Sequence, residues 1–160
     1  MNRKFLNKRI LNIAEVLVLA GIAVFVVLVL RQGFFREVSM EQIRMALEQQ
    51  PGIEELSLKG DALTRSCFEV VPSSYIYYKS DDIMDVRELL IAKAQDDTEM
   101  EILQEAVQKR LDRQIDIFTG YGTDQIDLLQ HALSTQMGDY CFYAVGDEAE
   151  QWQEAFLATK

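Results

Sequence analysis

The side chains that could do chemistry in this sequence are few. One histidine, His131, and two cysteines, Cys67 and Cys141, are all the imidazole and thiol groups that the chain offers. A single histidine removes most zinc sites and the Ser/His/Asp arrangement from contention. Neither cysteine has an obvious base, so a thiol nucleophile would lack its activating partner. His131 reads as a surface or rim side chain. The run Asp81-Asp82-Ile83-Met84-Asp85 has the DDxxD spacing by which some enzymes hold magnesium and diphosphate. That chemistry needs a long helix inside an apolar cavity, and a solvated loop between two strands accounts for the run better, with weak calcium binding as the alternative. Asp96-Asp97 lacks the spacing and central glycine of a calcium loop. Gly120-Tyr121-Gly122-Thr123 resembles the start of a phosphate-binding loop, but the third glycine and the preceding strand are missing, which favours a tight corner between helices. Arg110 and Gln114, one helical turn apart, either line a groove near Tyr121 or flank the core with their stems. Arg110, Gln114 and Tyr121 are therefore the candidate binding residues. No catalytic residue, metal ligand or cofactor signature stands out.

These residues must be positioned by a mixture of helices and strands. Ser39 with Gln42 makes a capping box, Val38 can staple onto Ile43, and Met40, Ile43 and Leu47 form one stripe that Pro51-Gly52 stops. Residues 53–74 are harder to read: Leu56 and Leu58 alternate briefly, and Asp61 can cap a short turn around Leu63 and Cys67. Tyr75-Ile76-Tyr77-Tyr78 is rich in strand-forming aromatics, and Val86 to Ala94 reads as a strand paired with it in a hairpin. Thr98 with Glu101 predicts another capping box. The helix it opens carries Met100, Leu103, Val107, Leu111, Ile115 and Phe118 on one face and runs about 22 residues to Gly120. Thr123 is expected to cap a further helix with Ile126, Leu129 and Leu133 on one side. The turn Met137-Gly138-Asp139 before Tyr140 to Val145 reads as a hairpin, and Asp147 with Glu150 as the cap of a last helix facing inward through Ala149, Trp152 and Phe156. Hairpins rather than βαβ repeats argue an α+β fold, a small antiparallel sheet packed with several helices.

Composition adds the organisation. Residues 10–30 hold only Asn12 and Glu15 as strongly polar side chains. As a helix they would measure roughly 32 Å, matching a hydrocarbon core of about 30 Å. A transmembrane helix is thus predicted at 10–30, behind a basic tail at 1–9 and ahead of a juxtamembrane linker at 31–37. Glu15, close to the start of the span, fits an interfacial position. A cleaved signal peptide is opposed by the length of the apolar run and by its exit in Leu28-Val29-Leu30-Arg31 without a small-x-small pattern. Arg3, Lys4, Lys8 and Arg9 outweigh Arg31 and Arg36, so the N-terminus is expected in the cytoplasm and the domain at 38–160 outside.

The net charge of −10 conceals an asymmetry: residues 1–36 carry six basic groups and one acid (+5), residues 37–160 ten basic and twenty-five acidic groups (−15). A balance of −15 opposes nucleic-acid binding, which needs concentrated positive charge. It would also hold the domain off an anionic bilayer and suits a cationic or neutral protein partner. A disulfide between Cys67 and Cys141 would stabilise by roughly 4 kcal/mol through loop entropy, yet both cysteines read better as small buried hydrophobes.

The run Lys109-Arg110-Leu111-Asp112-Arg113-Gln114 through Phe118-Thr119-Gly120-Tyr121-Gly122 and Gln125 resembles the hallmark of the bacterial domain of unknown function 4358 family. The strand from Met84-Asp85 to Lys93, the Gly138-Asp139-Tyr140 hairpin and Phe156 fit the same pattern, over roughly residues 60–157. The resemblance implies a small protein of the Gram-positive cell envelope, anchored or lipidated and facing outward. It carries no activity, cofactor or catalytic residue. An uncleaved anchor in place of a lipidation cysteine is the departure here. The first expectation is a non-enzymatic interaction or accessory module binding an envelope protein. The alternatives are an enzyme or accessory subunit in cell-surface polymer modification, the setting in which the resemblance places such proteins, and a small-ligand sensor.

Overall fold

The computed structural model describes residues 38–120 and 122–159, which lie in the second of the chain's two units, Glu37–Lys160. Among them no helix is long and apolar enough to cross a membrane. The span expected at 10–30 lies outside the described residues, as do the tail, the linker and Tyr121.

In chain order the elements are α1 (Met40–Leu47), a 3-10 turn (Ile53–Glu55), β1 (Ser57–Leu58), α2 (Asp61–Phe68), β2 (Ser74–Lys79) and β3 (Glu88–Lys93). Then follow α3 (Asp97–Phe118), α4 (Thr123–Gln130), β4 (Leu133–Met137), β5 (Tyr140–Val145) and α5 (Ala149–Ala158). The strands form one sheet in the order β1-β2-β3-β5-β4, with every pair antiparallel. The fold is therefore α+β, as hairpin signals in the sequence require.

Helices cover both faces of this sheet. Leu89 and Ile91 of β3 and Phe142 and Ala144 of β5 pack with Ile43 and Leu47 of α1 and Trp152 and Phe156 of α5. Leu90 and Ala92, with Cys141, Tyr143 and Val145, face the other way onto Phe68 of α2, Leu103 and Val107 of α3 and Leu129 of α4. Side chains alternate along a strand, so β3 and β5, covered on both sides, read as unbroken apolar runs rather than as alternating ones.

Local signals place most element starts, with four corrections, the first being that α2 follows Gly60 without a side-chain cap, so Asp61 does not cap it. The capping box at Ser39 forms: Ser39 Oγ accepts the Gln42 N–H at 3.2 Å and Gln42 Oε1 accepts the Ser39 N–H at 3.2 Å. α3 is 22 residues long as expected, but its cap is Asp96, not Thr98. Asp96 Oδ1 accepts the Glu99 N–H at 2.8 Å, while Glu99 Oε2 accepts the Gln95 N–H at 2.7 Å. A carboxylate accepts these N–H groups more strongly than a hydroxyl and complements the helix dipole. Thr123 and Asp147 do not cap either. α4 follows Gly122 and α5 follows Glu148, both without a side-chain cap.

The α3–α4 corner is closed by backbone, with the Gly122 N–H donating to Phe118 O at 3.1 Å. A Cβ on Gly122 would come within 2.8 Å of Phe118 Cδ1, so the corner needs glycine for close approach.

Candidate functional site

Arg110 and Gln114 are brought together, in the core. Ala106, Val107, Arg110, Gln114 and Phe118 share the buried face of α3, whereas Leu111 and Ile115 are only partly covered. Their target is Glu88, the first residue of β3, which lies on the α3 side of the sheet with Leu90 and Ala92. Tyr77 on β2 and Tyr143 on β5 both pair with Leu90, so their hydroxyls lie diagonally beside the Glu88 carboxylate on the same face.

Five donors converge on the two oxygens of Glu88. Arg110 forks onto it, Nε to Oε1 at 3.0 Å and Nη2 to Oε2 at 3.1 Å. Gln114 Nε2 donates to Oε1 at 3.2 Å, Tyr143 Oη to Oε1 at 3.0 Å and Tyr77 Oη to Oε2 at 2.7 Å. Phe68 of α2 meets both tyrosine rings edge-on, at 5.1 and 6.1 Å. Glu88 is 0% exposed and Arg110 8%.

A carboxylate offers about four lone-pair sites, so this one is saturated. Burial, and then the charge on Glu88, hold the Tyr77 and Tyr143 hydroxyls well above the usual phenol range, so both remain donors. Burial opposes the charge on Arg110, but the charge of Glu88 and its hydrogen bonds outweigh that and keep the guanidinium cationic. Chemically the arrangement locks α3 to three strands through one ion pair.

Along the sequence Glu88, Tyr77 and Tyr143 stand out as strand residues, not as site residues. The available signal was an acid inside an apolar strand run, together with a cation in the middle of an apolar helical face. Each is costly to bury alone and tolerable as a pair.

The remaining candidate residues do not converge. Asp81 is paired with Lys59 and accepts from Ser57 Oγ at 2.6 Å, and Asp82 Oδ1 accepts the Met84 N–H at 2.8 Å. Asp85 takes the Arg87 guanidinium at 2.7 Å. The three acids of the DDxxD run, all in the loop between β2 and β3, thus have separate partners: Asp81 at β1, Asp82 and Asp85 within the loop. Among the described residues no group of three or more His, Cys, Asp or Glu could hold a metal ion. Cys67 and Cys141 are both free and buried, and burial pushes the Cys141 thiol up to about 11. His131 is exposed, with Nδ1 2.8 Å from the Asp127 carbonyl oxygen.

Residues 72–146 match the family described as Domain of unknown function (DUF4358). This stretch of the chain carries the DUF4358 domain. No curated protein and no solved structure matches it. The DUF4358 stretch runs from just before β2 to just past β5 and contains all five residues of the Glu88 network. The segments from Lys109 and Phe118 that carry the resemblance fall inside it, and Phe156 falls outside.

At the end of the sheet where β3 starts and β5 finishes, the DUF4358 domain opens into an acidic cleft. Asp85, Arg87, Asp124, Gln125, Asp127, Leu128 and Asp147 line a volume of 590 Å³. It continues past Asp127, Leu128 and Asp147 into a second hollow of 420 Å³ bordered by His131, Leu133 and Glu150. Gln125 Oε1 accepts the Val86 N–H at 2.9 Å and fixes α4 against the start of β3. Arg87 is already engaged by Asp85 and by Glu55 at 2.7 Å, and these bonds raise its pKa above its usual value. Burial pushes the Asp85 carboxyl up, but the side-chain and backbone hydrogen bonds from Arg87 outweigh it and hold the group below the usual range. The field left in the cleft is that of Asp124, Asp127 and Asp147.

Proposed function

We propose that this DUF4358 chain is a non-enzymatic, single-pass membrane protein of the bacterial cell envelope. Residues 10–30 span the bilayer, the basic tail stays in the cytoplasm, and the domain after residue 37 acts outside as an interaction or accessory module. The observation that carries the reading is the contrast between inside and outside. The chemically capable residues, Arg110 and Gln114, are consumed by Glu88, while the accessible hollow is walled by carboxylates that complement a cationic protein surface. Tethering raises the local concentration of such a module at its partner without any new contact.

Two experiments test this. Protease added to wall-stripped intact cells should cleave the chain beyond residue 37 and leave the first 30 residues protected; a domain that resists until the membrane is lysed overturns the orientation. In-cell photocrosslinking from Leu128, which lines the same cleft, should capture a protein partner, and Asp124→Lys with Asp127→Lys should abolish capture while leaving the unfolding midpoint in place. Capture indifferent to this charge reversal overturns the cleft as the binding face.

A further inference from the structure

The outer edge of β4 is a strand without a neighbour among the described residues. It is the last strand in the sheet order and pairs on one side only, with β5. The opposite edge, β1, is two residues long, whereas β4 has five. Sheet edges that stay single are usually blunted by lysine, proline, a bulge or extreme shortness. Leu133-Ser134-Thr135-Gln136-Met137 has no charge and no proline, and its register with β5 runs without a bulge.

The turn decides which backbone groups are open. Two residues, Gly138 and Asp139, link Met137 to its partner Tyr140. In such a hairpin Met137, Thr135 and Leu133 bond to β5, and the N–H and C=O groups of Ser134 and Gln136 point away from the sheet. The edge is also braced from both layers. Gln104 of α3 donates to Gln136 Oε1 at 3.1 Å, and Gln153 of α5 donates to Thr135 Oγ1 at 3.0 Å.

Charge selects the occupant. Glu101 lies one turn from Gln104 and Glu150 one turn from Gln153, both exposed, so acids flank the edge above and below the sheet. The acidic cleft reaches the start of β4 at Leu133. A second copy of the domain at 37–160 would bring another −15 against these same acids. We infer that β4 accepts an extended, lysine- or arginine-bearing segment of a partner protein as a sixth strand, its basic side chains lying along the acids that lead into the cleft. Main-chain bonds to Ser134 and Gln136 supply the pairing, and charge supplies the choice of partner. This rests on the interaction-module reading and names its surface.

The test uses the full-length chain in detergent micelles and, as probe, an eight-residue peptide of alternating lysine and valine, with a glutamate–valine peptide as control. The lysine peptide should slow hydrogen exchange at the Ser134 and Gln136 amides at least tenfold, and the control should leave them unchanged. Ser134→Pro removes an outward N–H that β5 does not use. It should weaken lysine-peptide binding at least tenfold with the unfolding midpoint retained. Should that variant fail to fold, Gln136→Lys, which sets a cation beside the probe, should give the same loss. Exchange at both amides unchanged by the lysine peptide, or wild-type affinity in the folded variant, overturns strand addition.

Photocrosslinkers at Gln136 and Asp127 in cells separate the two readings. Capture of a basic segment from Gln136 that Ser134→Pro abolishes supports the proposal. Capture from Asp127 alone, or of a second copy from Gln136, overturns it and leaves the interaction module standing. No capture from either site overturns both.

Discussion

The two faces of the sheet are built on different physics. On one, Ile43, Leu47, Trp152 and Phe156 meet Leu89, Ile91, Phe142 and Ala144, and the Trp152 indole N–H reaches Pro51 O at 2.9 Å to satisfy its one polar atom. On the other, Leu90, Leu103 and Val107 surround an ion pair with three further hydrogen bonds. Apolar packing is non-directional and tolerates exchange of shapes of equal volume. A saturated buried carboxylate tolerates no missing donor, because what remains is a charge without compensation. A one-residue slip of β3 would turn Glu88 onto the apolar face, so the pair fixes the register of the central strand.

The contrast is broken most severely by removing one half of the pair. Arg110→Met leaves Glu88 buried and unpaired and should cost about 3–5 kcal/mol, read from urea unfolding of the full-length chain. Glu88→Leu in the same background should recover most of that loss, and a double variant no more stable than Arg110→Met would show that the pair is not coupled.

Raising the pH attacks the same face through its phenols. Tyr77 and Tyr143 titrate above their unfolded value of 10.0. Their contribution is therefore intact below pH 10 and is lost as pH climbs toward the folded pKa, because only the unfolded chain releases the proton. Each tyrosine contributes up to about 1.4 kcal/mol per pH unit, so stability should fall by roughly 3 kcal/mol between pH 9 and pH 11 for the two. A flat stability profile to pH 11 would contradict their burial. Cys141, raised from 9.0 to about 11, adds to the loss from pH 9 upward.

Removing a single donor is milder. Tyr143→Phe deletes one bond to a charged acceptor and should cost about 1.5–3 kcal/mol, while making the alkaline loss shallower by one proton. On the apolar face the comparable change, Phe142→Leu, should cost less than about 1.5 kcal/mol and leave the pH profile untouched. A larger cost for Phe142→Leu than for Tyr143→Phe would erase the distinction between the two faces.

Much of the fold was legible along the chain. The Ser39–Gln42 capping box, the 22-residue α3 and both hairpins follow from local patterns, because turn chemistry and periodicity act within a few residues. The cap of α3 lies two residues before Thr98, since Asp96 and Thr98 are both competent and only the path of the chain chooses between them. Residues 53–74 are not legible locally, because a 3-10 turn, a two-residue strand and a short α2 are each below the length at which periodicity speaks. At the candidate site the sequence marks Arg110 and Gln114 as groove or flank, whereas the structure turns both onto Glu88. Hydrophobicity alone points the face of α3 through Leu111 and Ile115, but pairing with Glu88 turns it through Arg110 and Gln114.

What the amino-acid order determined by itself is most of the elements outside residues 53–74, the α+β class and the split of charge between residues 1–36 and 37–160, all of which depend on near neighbours or on counting. What the tertiary structure decided is where the polar side chains belong. Glu88 is 22 residues from Arg110 and 55 from Tyr143, and a buried charge is tolerable only at the point where strands and helix bring those donors together. The open edge of β4 has the same origin, since a strand is an edge only once the order of its sheet is known.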